Sequence, residues 1–237
     1  MKFWHFTNIS ADVAELRIEG EIIDDEYAWL YEWLEEAYTS PNQFRQQLKE
    51  HDGKELRVFV DTYGGSVFAA ASIYSDLKAR PGKTIGIVHS KAISAGTLIL
   101  MGCDDIKVSP AATLMIHDPL TEIYGNISDF EKALEILNTL KDTILNAYEL
   151  KTRQSRQVLS ELMTAETWMD ANKAVELGFA DEIIDFGVTE VQNQFKGRLR
   201  VVNTANNRDD LQKYLALNKQ KQIETRQKEL ALYLNTI

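Results

Sequence analysis

Ser94, His117 and the paired glycines Gly64 and Gly65 are the residues of this sequence whose types could carry covalent chemistry. A serine hydroxyl becomes a nucleophile only when a base takes its proton, and acyl transfer also needs N–H donors for an oxyanion. Ser94 follows a β-rich run, Thr84 to His89, and a small-residue turn, and it precedes a charge-free run, Ala95 to Met101, that reads as a buried helix. A serine at a helix start lies at the positive end of the helix dipole, among N–H groups without intrahelical partners. Serine is also a favoured N-cap, so a purely capping role is open at the same position. His117 ends the strand-like run Thr113 to Ile116, and the Gly64-Gly65 turn follows the apolar strand Leu56 to Val60. Nucleophile, base and backbone donors are the minimum for acyl transfer. Asp118, Glu166 and Asp170 are carboxylates of the type that could orient the imidazole.

The elements that must position these residues alternate between strand and helix. Glu15 to Ile18 reads as a strand. Asp24 to Tyr38 reads as a helix with Trp29, Leu30, Trp33, Leu34 and Ala37 on one face, expected in the core or at a subunit contact. Ser40-Pro41-Asn42-Gln43 has the form of a capping box with proline at the first helical position, opening a helix to about Glu50. A helix from Val67 to Ala79 follows the Gly-Gly turn, and Asp105 to Val108 is a further strand. Ser128-Asp129-Phe130-Glu131 is expected to cap the longest helix, to Lys151, with Phe130, Ala133, Leu134, Leu137, Leu140, Ile144 and Tyr148 as its apolar stripe. Ser155 to Met163 and Asn172 to Leu177 are shorter helices, the second stopped by Gly178, and Asp181 to Ile184 is a last strand. The alternation predicts an α/β architecture of βαβ units.

Composition excludes several functions. The net charge is −10, against general nucleic-acid binding. The charge is uneven: residues 1–187 carry −14 and residues 188–237 carry +4. Gln192 to Arg208 reads as a polar linker, and Asp209 to Leu234 as a solvated or partner-dependent amphipathic helix. Two segments are therefore expected, a folded domain over 1–187 and a basic tail over 188–237. Cys103 is the only cysteine, so no intrachain disulfide can form and a reducing cytoplasm is the natural setting. The histidines His5, His51, His89 and His117 lack metal-ligand spacing, and no metal or cofactor is expected. The Gly-Gly turn has neither the register of a Walker loop nor a GxGxxG pattern. Met1 to Phe6 has no apolar signal-peptide region, and no run reaches the length of a membrane span.

Three stretches, Asp61-Thr62-Tyr63-Gly64-Gly65-Ser66-Val67, Ala92-Ile93-Ser94-Ala95-Gly96 and Leu114-Met115-Ile116-His117-Asp118-Pro119-Leu120, closely resemble motifs of the Clp protease proteolytic-subunit (ClpP) family, in the family's order. The segment from Thr164 through Asp181 resembles the family's end segment, and the resemblance covers roughly residues 16–184. It implies a ClpP/crotonase-like spiral of βαβ units with a protruding handle helix. Carried over by position, Ser94 is the nucleophile, His117 the base, and the N–H groups of Gly65 and Ala95 the oxyanion hole. The family's catalytic aspartate falls on Glu166, a departure that lengthens the side chain by one methylene. Met1 to Ala14 does not resemble the family's unfoldase-contacting segment, the region around Asp52 is longer than usual, and the tail is extra. With Glu166-Thr167-Trp168, these departures resemble the phage and prophage branch, implicated in capsid maturation.

The resemblance implies a serine endopeptidase, ATP-independent or partner-assisted, acting on peptide or protein substrates. It implies a homo-oligomeric ring, a heptamer or paired heptamers joined through the long helix. A capsid or scaffold protein is an expected partner, whereas nucleic acid and membrane are not. The tail is expected to be dispensable and self-cleaved or protease-sensitive. Two other readings stand beside this one: a crotonase-like acyl-CoA enzyme, which leaves the register of Ser94 and His117 without a purpose, and a catalytically silent structural ring. An α/β-hydrolase fits less well, because Ser94 has no GxSxG frame.

Overall fold

The computed structural model describes residues 7–8, 13–49, 51 and 53–185. The chain divides into two units, Met1–Gly187 and Val188–Ile237. The linker and amphipathic helix expected after Gly187 lie outside the described residues, as does most of the segment before Val13.

The first unit is an α/β fold built on one mixed sheet. Its strands are β1 (Thr7–Asn8), β2 (Val13–Ile22), β3 (Tyr38–Thr39), β4 (Glu55–Gly65), β5 (Thr84–Val88), β6 (Lys91–Ile93), β7 (Asp105–Val108), β8 (Thr113–Ile116), β9 (Thr167–Met169) and β10 (Glu182–Ile183). The order runs β10-β7-β5-β4-β6-β8-β9, with β2 also paired to β4 and carrying β1 and β3. Neighbours are parallel except for β1 with β2 and β8 with β9. Parallel neighbours require crossover connections, and α3 (Val67–Ala79), between β4 and β5, is one of them.

β4 is the organising strand. Leu56, Val58, Val60, Thr62 and Gly64 are buried and the residues between them are not, the period-two pattern of a strand with one face on the core. Its first half pairs with β5, while Thr62 near its end pairs with Ala92 of β6. The strand runs through Gly64 and Gly65 rather than stopping at Val60. The glycines read from the sequence as a turn are the last two residues of the strand.

The helices α4 (Ala95–Leu100) and α3 fill the space behind β4. Every residue of α4 is buried, as its unbroken apolar run requires. Gly96 lets it approach closely: a β-carbon there would lie 2.6 Å from the Thr62 side chain. The long helix α5 (Ile127–Thr152) buries Ile144, Leu145, Ala147, Tyr148 and Thr152, all in its second half. In its first half Phe130 and Leu134 are 53% and 61% exposed, so the expected stripe is core at one end and solvent-facing at the other. Its cap is Asn126, whose side chain accepts from the Ser128 and Asp129 N–H groups while Asp129 accepts from the Asn126 N–H. The capping box therefore begins two residues before Ser128. Helices α2 (Pro41–Lys49), α6 (Arg156–Thr164) and α7 (Ala171–Glu176) lie close to their expected spans.

The first helix departs most from expectation. A single turn, Asp25–Tyr27, leads into α1 (Ala28–Leu34), which ends at Glu35 in the left-handed conformation. None of its residues is buried, and Trp29 and Trp33 are 67% and 75% exposed. These aromatics are not part of this chain's core. Residues 38–39 pair as β3 with β2, which takes Tyr38 out of the helix and buries it.

Candidate active site

Ser94 stands between β6 and α4. Its N–H donates to the Met115 carbonyl of β8 (2.8 Å), so the turn is anchored to the next strand. Its backbone is in an unusual conformation, φ 54° and ψ −121°, which a residue with a β-carbon adopts only when its surroundings enforce it. Its side chain makes no capping hydrogen bond to α4. The hydroxyl instead meets the imidazole of His117, with Ser94 Oγ 2.7 Å from His117 Nε2. This separates the two roles that the sequence leaves open, because an N-cap serine would spend its oxygen on the helix.

The backbone of Gly64 lies directly against the serine. A β-carbon at Gly64 would fall 2.9 Å from Ser94 Cβ and 3.0 Å from the Ala95 nitrogen. Gly65, at φ 142°, would place a β-carbon 2.1 Å from the Ile22 carbonyl oxygen of β2. Only glycine fits at these two positions, and the main chain of β4 thereby reaches the start of α4. Backbone N–H groups of Gly65 and Ala95 thus belong to the two segments that adjoin Ser94, where donors to an oxyanion would be needed.

Two residues that the sequence did not single out hold the serine from behind. Thr97 Oγ1 donates to the Ser94 carbonyl (2.6 Å) and lies 2.5 Å from Tyr148 Oη of α5. Tyr148 is buried with its ring edge-on to Phe179, and burial pushes its hydroxyl well above the usual tyrosine range. It therefore stays protonated and can donate to Thr97 Oγ1. Periodicity placed Tyr148 on the apolar stripe of its helix, but nothing local could pair it with Thr97.

The three candidate carboxylates have separate fates. Asp118 pairs with Lys141 of α5 (2.8 Å) and accepts from Thr164 Oγ1 (2.9 Å), which ties the chain after His117 to α5 and α6. Asp170 caps α7 by accepting from the Lys173 N–H (2.8 Å). Glu166 accepts from the indole Nε1–H of Trp168 (3.1 Å). None of the three hydrogen-bonds to His117, whose imidazole bonds only to Ser94 among the described residues. Glu166 is nevertheless the one whose backbone the β8–β9 ladder brings beside it. β8 and β9 pair antiparallel with Ile116 opposite Thr167 and Met115 opposite Trp168, so His117 directly follows and Glu166 directly precedes the last pair of the ladder. Glu166 itself has φ 50° and belongs to the turn into β9.

Among the described residues no group of three or more His, Cys, Asp or Glu side chains comes together to hold a metal ion. A hydroxyl and an imidazole at hydrogen-bond distance, with main-chain segments crossing beside them, can support proton transfer and nucleophilic attack without one.

The sequence profile of the Clp protease family matches residues 41–186, which include Gly64, Gly65, Ser94, His117 and Glu166. The chain is 29% identical over 135 residues to the ATP-dependent Clp protease proteolytic subunit of Deinococcus radiodurans, covering 56% of this chain and 66% of that one. It is 31% identical over 137 residues to ATP-dependent Clp protease proteolytic subunit 1 of Chlamydia muridarum, covering 56% and 71%. Subunit 1 of Chlamydia trachomatis matches to the same extent. The chain thus spans about two thirds of the length of these relatives. With the profile covering more than half of its residues, the chain belongs to the Clp protease family.

Proposed function

We propose that this protein is a serine endopeptidase in which Ser94 attacks the peptide carbonyl and His117 acts as general base and then general acid. The observation that carries the reading is the 2.7 Å contact between Ser94 Oγ and His117 Nε2, at a serine whose side chain does not cap its helix. As Oγ bonds to the carbonyl carbon, its proton passes to Nε2. The tetrahedral oxyanion accepts from the N–H groups of Gly65 and Ala95. Collapse breaks the C–N bond, the amine leaves with the proton from His117, and water then hydrolyses the acyl-enzyme by the same sequence. Glu166 is the third member, orienting the imidazole from across the β8–β9 ladder.

The active form in this reading is a homo-oligomeric ring, a heptamer or two stacked heptamers, with the exposed first half of α5 as the contact between rings. Its substrates are peptides or proteins, delivered with or without an unfoldase. The Glu166-Thr167-Trp168 sequence and the basic segment after Gly187 favour a phage or prophage role in capsid maturation. A cytoplasmic setting suits the single, buried Cys103. Among the described residues no helix is long and apolar enough to cross a membrane.

The test is fluorophosphonate labelling followed by peptide mapping. The adduct is expected on Ser94 in the wild type, and the His117→Ala variant should lose it. An adduct elsewhere, or one indifferent to His117, overturns the assignment.

A further inference from the structure

Trp168 occupies a position with consequences for the site. β9 alternates Thr167 and Met169, both buried, with Trp168, which is 52% exposed. Glu166 lies two residues before Trp168, in the turn into β9, and the indole N–H reaches its carboxylate at 3.1 Å. The last pair of the β8–β9 ladder is Ile116 with Thr167, so His117 directly follows and Glu166 directly precedes it. The Glu166 carboxylate thus sits next to the strand ends that carry two donors, the Trp168 indole N–H and the His117 imidazole, and it is bonded to the first. Asp118 and Asp170 offer no substitute, since one is paired with Lys141 and Thr164 and the other caps α7.

The imidazole needs that carboxylate. When the Ser94 hydroxyl donates to Nε2, the ring proton must reside on Nδ1, and an acceptor at Nδ1 both fixes this tautomer and stabilises the imidazolium formed during attack. While Glu166 accepts from Trp168, the Nδ1 side of His117 has no acceptor among the described residues.

We propose that Trp168 is a positioning residue that sets the reactivity of the Ser94–His117 pair, its indole N–H holding the Glu166 carboxylate away from the imidazole until that bond is exchanged for one to His117 Nδ1–H. The proposal rests on the peptidase reading and goes beyond it, by giving the site a less reactive and a more reactive arrangement that differ in one rotamer of Glu166. A hydrogen bond at a half-exposed indole is modest in strength, enough to bias such an equilibrium severalfold without freezing it.

The experiment compares wild type, Trp168→Phe, which keeps an aromatic ring but has no donor, and the double variant Trp168→Phe/Glu166→Gln. Trp168→Leu serves as a second donor-free variant. ¹⁵N-histidine NMR reads the tautomer of His117, assigned by its loss in His117→Ala, and turnover of a fluorogenic peptide is measured in parallel. In Trp168→Phe the Nδ1–H tautomer should become dominant with a strongly downfield imidazole proton, kcat should rise by at least about threefold, and KM should change by less than about twofold. The double variant should lose both the signal and the gain. An unchanged His117 spectrum in both donor-free variants, a fall in kcat, or a gain that survives Glu166→Gln overturns the proposal. Failure of the peptidase reading looks different: the imidazole signal shifts as described, yet neither wild type nor Trp168→Phe forms a fluorophosphonate adduct at Ser94.

Discussion

Thr97 Oγ1 and Tyr148 Oη lie 2.5 Å apart in the core, and the same threonine oxygen donates to the carbonyl of Ser94. With the threonine proton committed to Ser94, the tyrosine is the donor of the second bond, and a chain of two hydrogen bonds runs from the long helix α5 to the serine backbone. This chain supports a φ of 54° that a serine does not adopt unaided. Tyr148→Phe removes the far donor and leaves Thr97 Oγ1 with one partner. A loss of about 1–2 kcal/mol in urea unfolding is expected, with a decrease in peptide turnover of roughly threefold. Thr97→Val removes both bonds and should cost more on both measures.

Gly65→Ala tests the close passage of β4. The added methyl would lie 2.1 Å from the Ile22 carbonyl oxygen, at a backbone angle of 142° that disfavours any side chain. Backbone must move on one side or the other, so a loss of about 3 kcal/mol or more is expected. Whatever protein folds should fail to hydrolyse peptide, because the displaced N–H belongs to the proposed oxyanion hole. A variant that is both as stable and as active as wild type would remove Gly65 from that role.

Much of this site was legible in the sequence because its members sit at ends of regular elements. A charge-free run after Ser94 and an apolar run before His117 mark a helix start and a strand end, whatever the tertiary fold. The strands β6 and β9 were not legible, since three residues are too few for a period-two pattern to stand out. The place of Glu166 beside the end of β8 consequently follows only from the β8–β9 register. Trp29 and Trp33 show the limit of periodicity from the other side. Their spacing gives an apolar face correctly, but the spacing of a stripe does not say what covers it, and among the described residues nothing covers Trp29 and Trp33. Thr97 and Tyr148 meet across 51 positions, a pairing that no local pattern encodes.

Cys103 provides a prediction in pH. Burial pushes its thiol up to about 12, against about 8.5 for an exposed cysteine. The folded state thus disfavours the thiolate that the unfolded chain forms readily. Its contribution to stability is complete below about pH 8.5 and is lost progressively as pH rises toward about 12, by up to about 1.4 kcal/mol per pH unit. Burial raises the Tyr148 hydroxyl too, so alkaline destabilisation has several sources, and the cysteine's share is read by difference. Cys103→Ala should show a shallower fall in urea stability between pH 9 and 11 than wild type. At pH 8 iodoacetamide should alkylate the wild type only as fast as it unfolds.

The exposed half of α5 predicts a change in assembly. Phe130 and Leu134 are one turn apart and more than half exposed, so replacing both with glutamate should leave the fold of the single chain intact. If they form the contact between stacked rings, native mass spectrometry should find the double variant at half the wild-type particle mass. An unchanged mass would place the contact elsewhere, and a wild type that is monomeric at micromolar concentration would remove the ring itself.

Glu166→Gln addresses the third member of the proposed triad. The amide keeps the size of the side chain, loses the charge, and can present a donor where the imidazole needs an acceptor. Where a third carboxylate is fully engaged with its histidine, the equivalent change lowers turnover by about 10⁴. In this structure the carboxylate is bonded to Trp168 instead, and only the fraction of molecules with Glu166 turned to His117 gains from it. The expected loss is therefore smaller in wild type, on the order of 10³ in kcat, with KM and particle mass unchanged. In a Trp168→Phe background the same substitution should cost more, because more of the starting population is engaged. Glu166→Asp keeps the charge but retreats by a methylene, and should fall between the two. A Glu166→Gln variant within about threefold of wild-type turnover would show that Glu166 does not serve His117, since even partial engagement predicts more. Asp170→Asn would then be measured next. Asparagine caps a helix as well as aspartate, so the stability of α7 should hardly change, and a collapse of kcat would move the orienting role to Asp170.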